Sequence, residues 1–199
     1  AATCDVVMEN YRPGVMDRLG VGYDDVKAVK PDIVYCSLTG YGPAGPLSGV
    51  PAYDHIVQGM SGLMSMTGTE QSGPQRVGLP ITDYIAGLTA ALAVSGALHQ
   101  LCRTGQGQHL YVPMLSSVLA MMGSFAIDVQ TDGRERGLMG NTPFSGSPFA
   151  GRFDTAEGYL VITANTSAQA VRMVAALGLD DLAPLAGSTA PDALNDADR

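Results

Sequence analysis

"IVYCSLTG" (residues 33–40) decides the fold class, because it is a continuous apolar and β-branched run of the kind that forms strands buried on both faces. Such strands belong mostly to parallel sheets that are covered by helices. Upstream, "DVVMEN" (5–10) predicts a short buried strand, and residues 12–32 predict two short helices separated by glycine. Strands that alternate with helices indicate an α/β protein.

The patterns further along the chain extend this alternation. They predict a helix from Tyr53 to about Met66, a long helix from Asp83 to Arg103 that ends at Gly105, an extended piece over 109–114, a largely buried helix over 114–129, a strand over 158–164 and a helix over 167–178 that ends at Gly178. The long helix would measure about 30 Å. Residues 131–150 are predicted to be a loop.

Composition restricts the function classes. Hydrophobic residues make up 46% and charged residues 15%, which is typical of a globular protein with a core. The net charge of −8 argues against general binding to nucleic acid or to anionic membranes. Three cysteines without a CxxC spacing indicate reduced thiols and a cytoplasmic protein. The long helix could span a bilayer by length, but its Ala, Gly, Thr and Ser content with His99 and Gln100 favours a buried helix of a soluble protein.

A single carboxylate begins that long helix. Asp83 is the only charged residue between Arg76 and Arg103. Aspartate is a preferred N-cap residue, so the residues alone favour a capping role, although Thr82 is equally suited to it. The alternative is that Asp83 is a chemical reagent, since a poorly hydrated carboxylate is a stronger nucleophile. The residues by themselves leave both roles open.

"GYGPAG" (40–45) matches the glycine pattern of dinucleotide-binding turns and follows a predicted strand. Pro46, Gly49 and Pro51 prevent a regular helix from starting there, and no carboxylate occurs about 20 residues further on. We therefore predict no NAD or FAD site, and expect the glycines to turn the backbone at the mouth of a site.

Four motifs occur in an order that resembles the class III CoA-transferase family, which includes an acyl-CoA racemase branch. They are "ENYRPGVMDRLGVGYDDVKAVKPDIVYCSLTGYGPAGP", "PAYDHIVQGMSGLMSMTG", "ITDYIAGLTAALAVSGALHQLCRTGQGQHLYVPM" and "FDTAEGYLVITA". The resemblance covers about residues 4–180 and implies part of a Rossmann-like, CoA-binding large domain over 1–130. It further implies a linker over 131–150, the start of a smaller domain over 151–187 and a flexible tail over 188–199. It also implies a fragment matching the middle of a full-length member.

The resemblance also assigns roles to residues. Asp83 matches the family's nucleophile, which attacks an acyl-CoA thioester and becomes an aspartyl thioester, and backbone N–H groups at the helix start would stabilise the oxyanion. CoA-binding roles fall on Asn10, Tyr11, Arg12 and Arg18, and substrate-lining roles on Tyr53 and Asp54. The racemase branch has a catalytic histidine at the position of Tyr53. His55 would point about 200° away on a helix, so acyl transfer is favoured.

These expectations describe a CoA-transferase that moves CoA between an acyl-CoA thioester and a carboxylic acid, and that forms a homo-oligomer. No metal is expected, because His99 and His109 lack ligand spacing with any cysteine. Nucleic-acid and membrane partners are not expected either. Two alternatives remain: an acyl-CoA racemase or epimerase, and a truncated, non-catalytic domain that binds CoA or self-associates. Whether the glycine-rich segment 137–151 covers the site is open.

Overall fold

The structure is a computed structural model that describes residues 3–187. The chain divides into two compact units, residues 1–138 and 139–199. The boundary between them lies within the segment 131–150 that the sequence predicts to be a linker. The predicted tail, 188–199, lies outside the described residues.

The first unit is built on a three-stranded parallel sheet. Its strands are β1 (Val6–Glu9), β2 (Val34–Thr39) and β5 (Gln108–Pro113), with β1 and β5 on either side of β2. The central position of β2 explains its apolar run, because a strand in that place has helices against both faces. Its residues Val34, Tyr35 and Cys36 are accordingly buried. The predicted α/β fold with a parallel sheet is confirmed.

Helices connect the strands of the first unit. They are α1 (Val15–Arg18) and α2 (Tyr23–Val29) between β1 and β2, then α3 (Asp54–Met60), α4 (Leu63–Met66) and α5 (Ile81–Thr104) before β5, and α6 (Met114–Met121) and α7 (Gly123–Asp132) after it. A small antiparallel ribbon, β3 (Gly68–Thr69) and β4 (Gly73–Pro74), lies between α4 and α5. The helix α5 ends at Gly105, which has the predicted left-handed conformation with φ 69°.

The two faces of the sheet pack against different helices, because successive side chains of a strand point to opposite faces. On one face Tyr35 packs with Ile33 and with Val26 of α2. On the other face Cys36 packs with Ala90 of α5 and Val112 of β5. The long helix therefore rests directly on the sheet through its small residues.

Two predicted helices are broken. The helix expected from Tyr53 to about Met66 is divided at Gly62, whose φ of 84° is incompatible with a helix interior. The helix expected over 114–129 bends by 65° at Met122, between α6 and α7. In both cases the apolar spacing continues through the break, so periodicity alone does not reveal it.

The prediction that α5 and residues 114–129 are buried is wrong for most of their surface in the described structure. Ala86 and Ala90 of α5 are buried, but Leu88 and Leu92 on its other side are 73% and 76% exposed. The helix α7 has no buried residue among those described. By length and composition alone, α5 qualifies as a membrane span, and the bent pair α6–α7 qualifies if counted as one.

The second unit is a hairpin followed by helices. Strands β6 (Ala150–Thr155) and β7 (Gly158–Thr163) pair antiparallel, and α8 (Ser167–Leu177), a 3-10 turn at Asp180–Leu182 and α9 (Ala183–Gly187) follow. The Thr166 hydroxyl accepts from the Gln169 N–H and caps α8. Phe149 and Val174 are members of its small core. The strand β6 is absent from the sequence predictions, because charged residues interrupt its apolar pattern.

Gly107 at the entrance to β5 permits a close approach of two backbones. A Cβ at this position would lie 2.1 Å from the Ile33 carbonyl oxygen. Relief of this clash would require a shift of the backbone, which costs free energy. We therefore expect Gly107→Ala to lower the free energy of unfolding by about 2 kcal/mol in urea denaturation. Gly49→Ala is the matched control, since a Cβ there meets nothing within 4 Å. Equal stabilities of the two variants would contradict the prediction.

Candidate active site

A cavity of about 460 Å³ opens at the carboxyl ends of β1 and β2, beside the first residues of α3, α5 and α6. Open parallel sheets generally bind ligands at this edge. Six of the seven residues assigned from the sequence line it: Asn10, Tyr11, Arg12, Tyr53, Asp54 and Asp83. Arg18 lies in the last turn of α1 and lines neither this cavity nor its neighbour. The apolar part of the wall includes Leu38, Val50, Ala52 and Met114.

Glycines shape the mouth of this cavity. A Cβ on Gly40 would lie 2.2 Å from the Ala52 Cβ, so only glycine lets the end of β2 approach the segment that enters α3. Gly42, with φ 93°, then turns the chain, and its N–H donates to the Thr39 hydroxyl at 3.0 Å. The "GYGPAG" segment thus turns the backbone at the site, as the sequence predicts.

The start of α5 is held by an aspartate from α3. Pro80 is the N-cap residue of α5 and supplies no side-chain hydrogen bond. Asp54 Oδ1 instead accepts from both the N–H and the hydroxyl of Thr82, each at 2.8 Å. Asp83 is the third residue of the helix and does not cap it, which removes the capping role that the sequence left open.

The first-turn N–H groups of α5 already have acceptors. The Ile81 N–H donates to the Leu79 carbonyl at 2.8 Å, and the Tyr84 N–H donates to the Pro80 carbonyl at 3.2 Å. Thr82 donates to Asp54, and the Asp83 backbone also interacts with the Asp54 carboxylate. These contacts do not test whether the N–H groups could also stabilise an oxyanion, so that expectation stays a prediction.

The two neighbouring carboxyl groups differ in acidity. Burial raises the pKa of Asp83, and the negative charge of Asp54 raises it further. Burial also raises the pKa of Asp54. Hydrogen bonds from Thr82, Gln58 and the Asp83 backbone have a larger opposite effect, so the pKa of Asp54 is lowered overall. Asp83 is still exposed to solvent, so the low hydration expected for it is only partial.

Gln58 of α3 completes this arrangement and is missing from the sequence predictions. Its side chain is 0% exposed, its Nε2 donates to Asp54 Oδ2 at 2.7 Å, and its Oε1 accepts from the Val77 N–H at 2.8 Å. It therefore ties Asp54 to the loop before α5. The available signal was its position four residues after Asp54, one turn further on the same helix.

Tyr53 lies at the cavity with its backbone extended (φ −136°) immediately before α3. Because Tyr53 is outside the helix, the 200° separation expected from His55 does not apply. The two rings are stacked, with centroids 6.1 Å apart and an interplanar angle of 11°. His55 does not line the cavity.

A second cavity of about 410 Å³ lies next to the first, and Arg12 lines both. It is on the α2 face of the sheet, where the His109 ring stacks on Tyr23 with centroids 4.6 Å apart. The His109 Nε2 and the Ser37 hydroxyl are 2.9 Å apart. The carboxylates that line this second cavity, which include Glu9 and Asp17, would repel phosphate groups.

Among residues 3–187, no three His, Cys, Asp or Glu side chains are grouped closely enough to hold a metal ion. The expectation of no metal stays a prediction, since the grouping of side chains in one state does not test it.

Comparisons with known proteins agree on one family. The family model described as CoA-transferase family III matches residues 1–196. The mouse succinyl-CoA:glutarate CoA-transferase is 40% identical over 92% of this chain and 42% of its own length. The acetyl-CoA:oxalate CoA-transferase of Acetobacter aceti is 39% identical over 73% of this chain and 38% of its own length.

A solved structure supports the same assignment. A CAIB/BAIF family protein from Brucella suis superposes with a TM-score of 0.81 at 32% identity, covering 92% of this chain and 48% of that protein. The chain spans less than half the length of all three of these relatives.

Proposed function

This chain belongs to CoA-transferase family III, and we propose that it carries the site at which CoA is moved between an acyl-CoA thioester and a carboxylic acid. The proposal is supported chiefly by the location and hydrogen bonding of the Asp83 carboxylate. Its carboxylate faces a cavity lined by the residues expected to bind CoA, and it is not engaged as a helix cap. A carboxylate left free in such a place is available as a nucleophile.

The proposed reaction begins with Asp83. A carboxylate oxygen attacks the thioester carbonyl carbon, the C–S bond breaks, and CoA leaves as the thiolate, which gives a mixed anhydride. The thiolate then attacks the aspartyl carbonyl and releases the donor acid, so that Asp83 becomes a CoA thioester. The acceptor carboxylate attacks that thioester and forms a second anhydride. The released thiolate attacks the acceptor's acyl carbon, which yields the new acyl-CoA and the free Asp83 carboxylate.

We propose a short dicarboxylic acid as the acceptor class. Two of the relatives are named for glutarate and oxalate, which are both dicarboxylates. Arg12 supplies a guanidinium group to the cavity that contains Asp83, and such a group binds a carboxylate or a phosphate through paired hydrogen bonds. Asn10 and Tyr11, on the same loop, are proposed to contact CoA, and Arg18 is proposed to meet its phosphates from outside this cavity.

The test is a transfer assay on the complete protein. Succinyl-CoA with glutarate, or acetyl-CoA with oxalate, is expected to yield glutaryl-CoA or oxalyl-CoA by liquid chromatography. Thioester hydrolysis without a new acyl-CoA would refute the transferase. A racemase would instead exchange the α-proton of a 2-methylacyl-CoA with deuterated water. We expect no exchange, since a tyrosine stands where the racemase branch has its histidine.

Arg12 gives a further expected result. Arg12→Ala should raise the KM for acyl-CoA about 10-fold, or the KM for the acceptor acid if the guanidinium binds that carboxylate, because one charge-assisted contact is lost. Steady-state kinetics with each substrate varied in turn measures both. Arg76→Ala is the control, since Arg76 is exposed and lines neither cavity. An unchanged KM for both substrates would contradict the assignment.

Exposed apolar surface favours a second candidate, a non-catalytic domain that self-associates. Leu88, Leu92 and Met121 are each at least 70% exposed. Surfaces of this kind are usually covered by another polypeptide. We propose a soluble, cytoplasmic homo-oligomer in either case. Sedimentation velocity that shows association, together with no CoA-dependent rise in melting temperature, would favour the non-catalytic candidate over the enzyme.

A further inference from the structure

We propose that Asp54 is the positioning residue of the active site: it caps α5 from outside that helix, so that the Asp83 carboxylate is left free for reaction. The inference rests on the proposed function of Asp83 as nucleophile. It gives Asp54 a task other than the contact with substrate that the sequence indicates.

The hydrogen bonds of Asp54 carry the inference. Oδ1 accepts from the N–H and the hydroxyl of Thr82, and Oδ2 accepts from Gln58 Nε2. The Thr82 hydroxyl also lies 3.2 Å from the Asp54 carbonyl oxygen. Both carboxylate oxygens are thus bound within the chain, and the starts of α3 and α5 are joined through them.

This capping solves a problem that the location of Asp83 creates. A carboxylate in the first turn of a helix is attracted to the unpaired N–H groups there, and it loses nucleophilicity when it accepts from them. Asp54 occupies the N–H of Thr82 and interacts with that of Asp83. The attraction is therefore satisfied by a different carboxylate, and the Asp83 side chain can face the cavity.

The charge of Asp54 has a second effect on Asp83. The ionisable groups that line the cavity around Asp83 are Tyr11, Arg12, Tyr53 and Asp54, and Tyr84 follows it on α5. Among these, the charge of Asp54 raises the pKa of Asp83, in addition to burial. A carboxylate with a higher pKa is a more basic and more reactive nucleophile once it is ionised.

The experiment compares Asp54→Asn with the wild-type protein. Asparagine retains an acceptor for Thr82 but carries no charge. We expect kcat to fall about 10- to 100-fold, because the neutral amide oxygen holds Thr82 more weakly and Asp83 becomes less basic, with the KM for acyl-CoA changed less than about 2-fold. We also expect the pH midpoint of the rise in kcat to move downward, because Asp83 loses a negative neighbour. Asp132→Asn, an exposed aspartate of α7, is the charge-matched control.

A second substitution tests the same hydrogen bond in case Asp54→Asn does not fold. Thr82→Val removes the hydroxyl donor but leaves the charge of Asp54 in place, so we expect a lower kcat without a change in the pH midpoint. Thr82→Ser keeps the hydroxyl and should restore kcat. Equal activity in Thr82→Val and wild type, or a pH midpoint that is unchanged in Asp54→Asn, would overturn the positioning role.

A readout without catalysis separates this inference from the proposed function. The titration of Asp83, followed by the NMR signal of its ¹³C-labelled carboxyl group, should have a lower midpoint in Asp54→Asn than in the wild type. If transfer activity is absent but this midpoint moves, the proposed function fails and the coupling of the two carboxylates stands. If transfer occurs and the midpoint does not move, only the positioning role fails.

Discussion

Asp83→Asn is expected to lower the rate of CoA transfer by roughly three orders of magnitude or more, because the amide cannot form the anhydride and thioester intermediates. The change is small in volume and breaks no helix cap, since Pro80 is the N-cap residue of α5. Initial rates with an acyl-CoA and a dicarboxylic acid measure the effect. The melting temperature of the same variant should be unchanged or slightly higher, since Asp54 loses a like-charged neighbour.

The control for this prediction is Asp132→Asn, which removes an exposed carboxylate outside the site and should retain wild-type rates. A variant Asp83→Asn that retains more than a tenth of the activity would show that Asp83 is not the nucleophile. A variant that loses its activity only because it unfolds would be recognised by its melting temperature.

Gln58→Leu is expected to lower the free energy of unfolding by about 3 kcal/mol. Leucine fills a similar volume but supplies no polar atoms, so the Val77 N–H loses its acceptor and Asp54 loses a donor. The Gln58 side chain is fully buried, so both hydrogen bonds lie in a poorly hydrated place where their loss is costly. Urea denaturation of the complete protein measures the loss.

Gln71→Leu is the matched control, since Gln71 is exposed and the same chemical change there should cost less than about 0.5 kcal/mol. Equal stabilities of the two variants would show that the Gln58 hydrogen bonds contribute no net stability. Gln58→Leu should also reduce transfer activity, because Asp54 is less firmly held.

Much of the fold is predictable from the sequence, since it depends on local patterns. The apolar run of β2 predicts a central parallel strand, and Gly105 and Gly178 predict the ends of α5 and α8. The breaks at Gly62 and Met122 are not predictable in the same way, because apolar spacing continues through them. The exposure of Leu88 also could not be predicted, since periodicity does not show which apolar face has a partner.

Six of the seven residues assigned from the sequence and the resemblance line one cavity, whereas the hydrogen bonds among them could not be predicted. A lone carboxylate at the start of an apolar helix directs attention to Asp83, and the resemblance identifies the loop at Asn10. The capping of α5 by Asp54 joins residues 28 positions apart, and local capping rules consider only the helix's own first residues. Gln58 escapes notice because a buried glutamine in an amphipathic pattern resembles an ordinary surface residue.

The role of Asp83 as nucleophile is tested most directly by peptide mass spectrometry after the protein is incubated with an acyl-CoA and hydroxylamine. Hydroxylamine converts an activated carboxyl group to a hydroxamate. We expect a hydroxamate at Asp83 that depends on the acyl-CoA and disappears in Asp83→Asn, with Asp54 unmodified. Transfer activity without modification of Asp83, or modification of a different carboxylate, would contradict it.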